Sequence, residues 1–122
     1  MKEKIDRNLW NTYFADFTRR NQSRPTHIQL FGEFGAQEEA HGLPFAGITL
    51  DADGPSPSVE IMLGGRYADA SRHLTHVVTN VLEVTPKRGP DGRDEALELV
   101  SGNGDRNLLL FEQEARMVAA AH

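Results

Sequence analysis

Glu95-Ala96-Leu97-Glu98-Leu99-Val100-Ser101-Gly102-Asn103-Gly104-Asp105-Arg106-Asn107-Leu108-Leu109-Leu110-Phe111 carries apolar side chains on both sides of a glycine-rich turn. Alternation on each flank reads as two strands, about Glu95 to Ser101 and Asp105 to Gln113, joined as a hairpin. Two registers compete. A two-residue Asn103-Gly104 turn pairs Leu99 with Leu108 and Leu97 with Leu110. A three-residue loop with Gly104 left-handed shifts the pairing by one, so Leu97 and Leu99 share a face with Leu109 and Phe111. Side chains alternate along a strand, so this slip sends Leu108 and Leu110 to the opposite face. We favour the three-residue loop, which keeps Phe111, the largest side chain, inside. Val100, Leu108 and Leu110 then form an outer apolar strip that needs a partner, and a homodimer is the simplest one.

Working outward, Leu74 to Val84 is rich in β-branched residues and apolar at both parities, which predicts one strand buried on both faces, in the middle of a sheet or in a curved, partly closed one. Pro86 to Gly92 reads as a loop. Val59, Ile61 and Leu63 alternate with Ser58, Glu60 and Met62, a strand ended by Gly64 and Gly65. The turn formers from Asp51 to Pro57 separate it from a strand over Leu43 to Asp51. Glu33 to Gly42 is polar and reads as a loop or irregular edge after a first strand around Ile28 and Leu30. Before Pro25 the period is helical. Leu9, Trp10, Tyr13, Phe14 and Phe17 make an aromatic stripe on a helix from about Asp6 to Asn21. Asp6 suits the N-cap, with Ile5 and Trp10 placed for a hydrophobic staple. Ala115 to His122 is expected to be a frayed tail. The sum is one α+β domain over residues 1–122 with its ordered core at about 5–113: an N-terminal amphipathic helix packed on a curved antiparallel sheet of about six strands, open or partly closed into a barrel.

Composition narrows the function. The 122 residues include no cysteine, which removes disulfides, thiolate metal sites and cysteine nucleophiles. Asp and Glu number 18 against 13 Lys and Arg, a formal charge of -5, so nucleic acid is not the expected partner. The basic residues nevertheless cluster, first as Arg19, Arg20 and Arg24, then as Lys87, Arg88 and Arg93. They make a local anion site only if the fold brings them together; otherwise they are solvated charge at a helix end and in a loop. No apolar run of secretory or membrane-spanning length is present, so the expected location is the cytoplasm, with no membrane partner.

No motif carries catalysis. Asp51-Ala52-Asp53-Gly54 begins like a calcium loop, but its sixth and twelfth places hold Ser56 and Met62. Gly102-Asn103-Gly104 lacks the third glycine and the strand-to-helix setting of a dinucleotide loop. No serine lies in a nucleophile elbow. His73 and His76 are three apart, which on a strand puts them on opposite faces. His41 beside Glu38 and Glu39 reads as a solvated loop. No metal or cofactor is expected. His76 shares the parity of Leu74 and Val78 and should face inward, either as a hydrogen-bonded core histidine or as the lining of a small-molecule pocket with Asn80 and Trp10.

These segments together resemble a bacterial family of unknown function, DUF5335. The resemblance rests on Trp10-x-x-x-Phe14-x-x-Phe17, Leu43-Pro44-Phe45-Ala46-Gly47-Ile48, His73-Leu74-Thr75-His76-Val77-Val78 and Asp94-Glu95-Ala96-Leu97-Glu98-Leu99 followed by Leu108-Leu109-Leu110-Phe111. It implies a stand-alone bacterial cytoplasmic domain and brings no catalytic residues with it. Val81 departs from a position where the family favours proline, and Leu110 from one where it favours a basic residue.

Overall fold

In the computed structural model, residues 3–33, 35–64 and 73–112 are described. A 3-10 turn, Arg7–Leu9, leads into helix α1, Trp10–Asn21. Seven strands follow: β1 Pro25–Gly32, β2 Gly35–Asp51, β3 Ser58–Gly64, β4 His73–Val78, β5 Val81–Arg88, β6 Asp94–Ser101 and β7 Arg106–Phe111. They form one antiparallel sheet in the order β4-β3-β2-β1-β7-β6-β5. The expected helix on an antiparallel sheet is present. The strand number is higher than expected, and the sheet is open and not a closed barrel, with β4 and β5 outermost among the described strands.

The polar segment read as a loop is part of the sheet. Gly35 to Pro44 pairs with β1, while Phe45 to Asp51 pairs with β3, so β2 is a single long strand with two arms. Register shifts at Thr26/His27, Ile28/Gln29 and Phe45/Gly47 bend it. Bulges increase local twist, and this bend carries the sheet around the core. Polar side chains hid the strand because nothing described covers that arm's outer side, and without a buried face there is no alternation to read.

Along the second arm, α1 replaces a neighbouring strand. The Thr18 hydroxyl accepts a hydrogen bond from the Ile48 amide at 3.1 Å and lies 3.3 Å from the Ile48 carbonyl. Gln22 Nε2 donates to the Ala46 carbonyl at 2.7 Å. Backbone bonds from Ser23 to Phe45 and from Phe45 to Arg24 complete the join. Helix side chains thus satisfy backbone groups that would otherwise sit at an open edge.

The predicted central strand over Leu74 to Val84 is instead two strands at opposite edges. β4 ends at Val78, β5 starts at Val81, and Asn80 between them sits at φ 50. Asparagine tolerates this left-handed conformation better than most residues. The run was apolar at both parities because it joins two half-buried strands whose phases differ, with a register shift between Val81 and Glu83. Pro86, expected in a loop, lies within β5; an edge strand accommodates a residue that cannot donate to a ladder.

The hairpin adopts the three-residue loop. Ser101 N–H donates to Asp105 O at 3.0 Å, and Gly104 has φ 93. Leu97 faces Leu109, and Leu97, Leu99, Leu109 and Phe111 are all buried. Trp10, Phe14 and Phe17 from α1 pack into the same core. Phe17, Phe45 and Phe111 form a mutual cluster with centroids 5.6 to 5.7 Å apart, in which Phe45 stands edge-on to both others. Asp6 precedes the 3-10 turn without a side-chain cap, and Trp10 Nε1 bonds the Ile5 carbonyl at 2.9 Å. No helix among the described residues is long and apolar enough to cross a membrane. The tail expected at 115–122 lies outside the described residues.

Candidate functional site

The two basic clusters meet. Arg20 and Asn21 occupy the last turn of α1, Arg24 follows it, and Arg88 and Asp94 pair across the β5–β6 ladder. Asp94 is the meeting point. Its side chain is 3% exposed and receives Arg20 Nε at 3.0 Å and Asn21 Nδ2 at 2.8 Å, with Arg88 Nε 3.7 Å away. Arg24 donates to the Asp94 backbone carbonyl at 2.9 Å and to Asn21 Oδ1 at 2.8 Å, and lies over the Phe111 ring at 4.3 Å. The stacking and the fork of bonds fix its plane.

Arg93 is presented by the β5–β6 loop. Asp91 Oδ1 accepts the Arg93 backbone N–H at 3.0 Å, and Gly92 turns the chain at φ 82. Among the described residues the Arg93 guanidinium has no hydrogen-bond or ion-pair partner. An open cavity of about 330 Å³ is lined by Arg20, Asn21, Arg24, Gly92, Arg93 and Asp94.

Burial pushes the Asp94 carboxyl up, but hydrogen bonds from Arg20 and Asn21 and the charges of Arg20 and Arg88 outweigh it. The group is held below the ordinary carboxylate value. Arg20 is held charged by the same bond. Tyr13, about two turns before Arg20, has its phenol pushed up to about 12 by burial first and by Asp94 second. Among the described residues its hydroxyl makes no hydrogen bond, although the Arg20 guanidinium lies 5.8 Å from the ring centroid. An ionised, fully bonded carboxylate and a phenol that resists ionisation are both poor proton-transfer groups near neutral pH.

The residues singled out from sequence fall elsewhere. His76 faces inward with Leu74 and Val78, and its Nε2 lies 2.8 Å from Asn107 Oδ1 across the concave side. Asn80 does not share its face: it sits exposed at the corner after β4, against Gly102. Trp10 is 1% exposed within the core. These three do not line the cavity at the Asp94 junction. Val100, Leu108 and Leu110 lie half-buried on the outer face, crossed by the Arg106–Glu98 ion pair at 2.5 Å. Phe31 joins that face from β1, opposite Arg106. A shallow cavity of about 130 Å³ includes Leu108, Leu110, Pro86 and Ala96. Among the described residues no group of three or more His, Asp or Glu is arranged to hold a metal.

Asp94 and Asn21 escaped the sequence reading. The available signal was indirect: two arginine clusters far apart in the chain need a common counter-charge, and Asp94 directly follows one of them.

Helix, bent β2 and open sheet define a small α+β domain with one helix on an antiparallel sheet. The chain belongs to the family of unknown function DUF5335, whose pattern matches residues 1–119. No curated protein and no solved structure matches it.

Proposed function

We propose that the chain is a non-catalytic binding module of the bacterial cytoplasm that works as a homodimer joined through the outer face of its sheet. The observation that carries this is the belt of Val100, Leu108 and Leu110, which the hairpin register sends to the outer face, joined there by Phe31 from β1. These side chains share that face with a shallow cavity, and pairing two copies would remove them from water. A non-catalytic role is supported by the chemistry of the Asp94 junction, whose titratable groups are held away from neutral pH. A cysteine-free chain suits a reducing compartment.

Native mass spectrometry of the gently purified chain tests the dimer. A dimer that becomes a monomer on Leu110→Lys, with unchanged circular dichroism, supports it. A monomer at high concentration that Leu110→Lys leaves unaltered refutes it. The inward, half-buried His76 favours a second reading, a small-molecule binder or enzyme with a pocket between helix and sheet. That reading requires a retained small mass that His76→Ala abolishes.

A further inference from the structure

We propose that the cavity between the end of α1 and the β5–β6 loop binds a dianionic phosphate group, as carried by a small phosphorylated metabolite or by phosphate itself. This site is separate from the outer sheet face and stands whether or not the chain dimerises.

Four guanidinium groups converge on the junction, from Arg20, Arg24, Arg88 and Arg93, against the single buried carboxylate of Asp94. In a chain of formal charge -5, this local excess of positive charge is a departure from the whole. A purely structural ion pair needs one arginine for one carboxylate. Here Asp94 already has Arg20 and Asn21, and the surplus charge lines an open cavity; the neighbouring acids, Asp16 near Arg20 and Asp91 and Glu95 at the β5–β6 turn, lie outside that lining.

Asp94 acts as a positioning residue. It fixes Arg20 through its carboxylate and Arg24 through its carbonyl, so two forks are held before any ligand arrives. Pre-organised guanidinium groups suit the several oxygens of a phosphate, each able to accept charge-assisted bonds. Arg93, with its guanidinium uncommitted among the described residues, supplies the third contact. A monovalent carboxylate gains less here, because Asp94 at the back of the cavity offsets part of the attraction. A volume of about 330 Å³ falls within the range of small-ligand pockets, leaving room beside the phosphate for an organic portion.

The test is a titration of the full-length chain with inorganic phosphate, followed by amide chemical shifts, against sodium chloride at equal ionic strength. A sugar phosphate is then titrated in the same way. Saturable shifts at Arg24, Gly92 and Arg93 are expected with phosphate and not with chloride. Tighter binding of the sugar phosphate assigns the ligand to organic phosphates, and equal binding assigns it to phosphate itself. Arg93→Gln should weaken binding about tenfold or more without moving the thermal unfolding midpoint, because one charge-assisted contact is lost. Arg93→Lys should recover part of the loss. Absence of saturable shifts, or an Arg93→Gln variant that binds as tightly as the parent chain, overturns the proposal.

Discussion

Two polar junctions tie distant parts of the chain together, and they are built in opposite ways. Asp94 joins β6 to the helix end across 74 residues through a carboxylate ringed by guanidinium groups. His76 joins β4 to β7 across 31 residues through a single imidazole–amide contact of 2.8 Å. The first holds more donors than its one acceptor can use and opens on a cavity. The second matches one group to one group. Both bring a polar side chain into a largely apolar core, so both must be satisfied to be tolerated. Only the Asp94 junction has recognition capacity left over once its internal bonds are made. Surplus, and not mere burial of polar groups, is what separates a binding site from a structural clasp in this fold.

That contrast can be broken by substitution. Asp94→Ala should have the largest effect, about 2–4 kcal/mol in urea unfolding, because it removes the anchor of several arginines and leaves buried donors unpaired. Asn107→Ala should cost less, about 1–2 kcal/mol, for the lost bonds to His76 and the Leu99 carbonyl and a small cavity. Equal costs would show that the two junctions are energetically alike. Thr18→Val should cost about 1 kcal/mol by withdrawing the hydroxyl from Ile48, and amide exchange at Ile48 should speed up.

Protonation sharpens the same comparison. The Asp94 carboxyl is held below its ordinary value in the folded chain, so its stabilising contribution is complete above the ordinary carboxylate pKa. It is lost as pH falls through the lowered folded value. Asp94→Asn should therefore flatten the acid side of the stability profile measured by urea unfolding. Tyr13 works in the other direction: with its phenol raised from 10.0 to about 12, the unfolded chain ionises first and stability falls as pH rises across that interval. Tyr13→Phe should give the smallest effect, within about 0.5 kcal/mol near neutral pH, and remove that alkaline decline.

Local chemistry announced the helix, the turn after β2 and the hairpin register. Phe111 could be buried only if Gly104 adopted the left-handed conformation, and that steric choice is written within a few residues. Pairing partners are a different matter. Nothing near Val78 or Val81 says that they belong to opposite edges, since the neighbours of β4 and β5 are β3 and β6. The only local mark was Thr79-Asn80, a pair that permits a break without demanding one. The polar first arm of β2 was illegible for a related reason: its strand character comes from the ladder with β1 and not from its own side chains. At the candidate site, the arginines were visible as clusters, but their convergence depended on where β6 starts relative to the end of α1. Distance in space between residues 20 and 94 is a property of the whole topology.

The corner at Thr79 and Asn80 has a bearing on colony-like assembly of strands, the hazard of every open sheet. Unpaired edges invite other chains to add strands, and β4 and β5 are the outermost of the described strands. Here the edges are successive segments of one chain, so their near ends can stand only roughly 10 Å apart even with the link fully stretched. Such a leash keeps the sheet curled, because flattening would carry β4 and β5 to opposite ends of a seven-strand width. A curled ribbon with tethered ends offers a poor template for stacking in register. The two-residue link thereby works against edge-to-edge addition of strands across the described sheet.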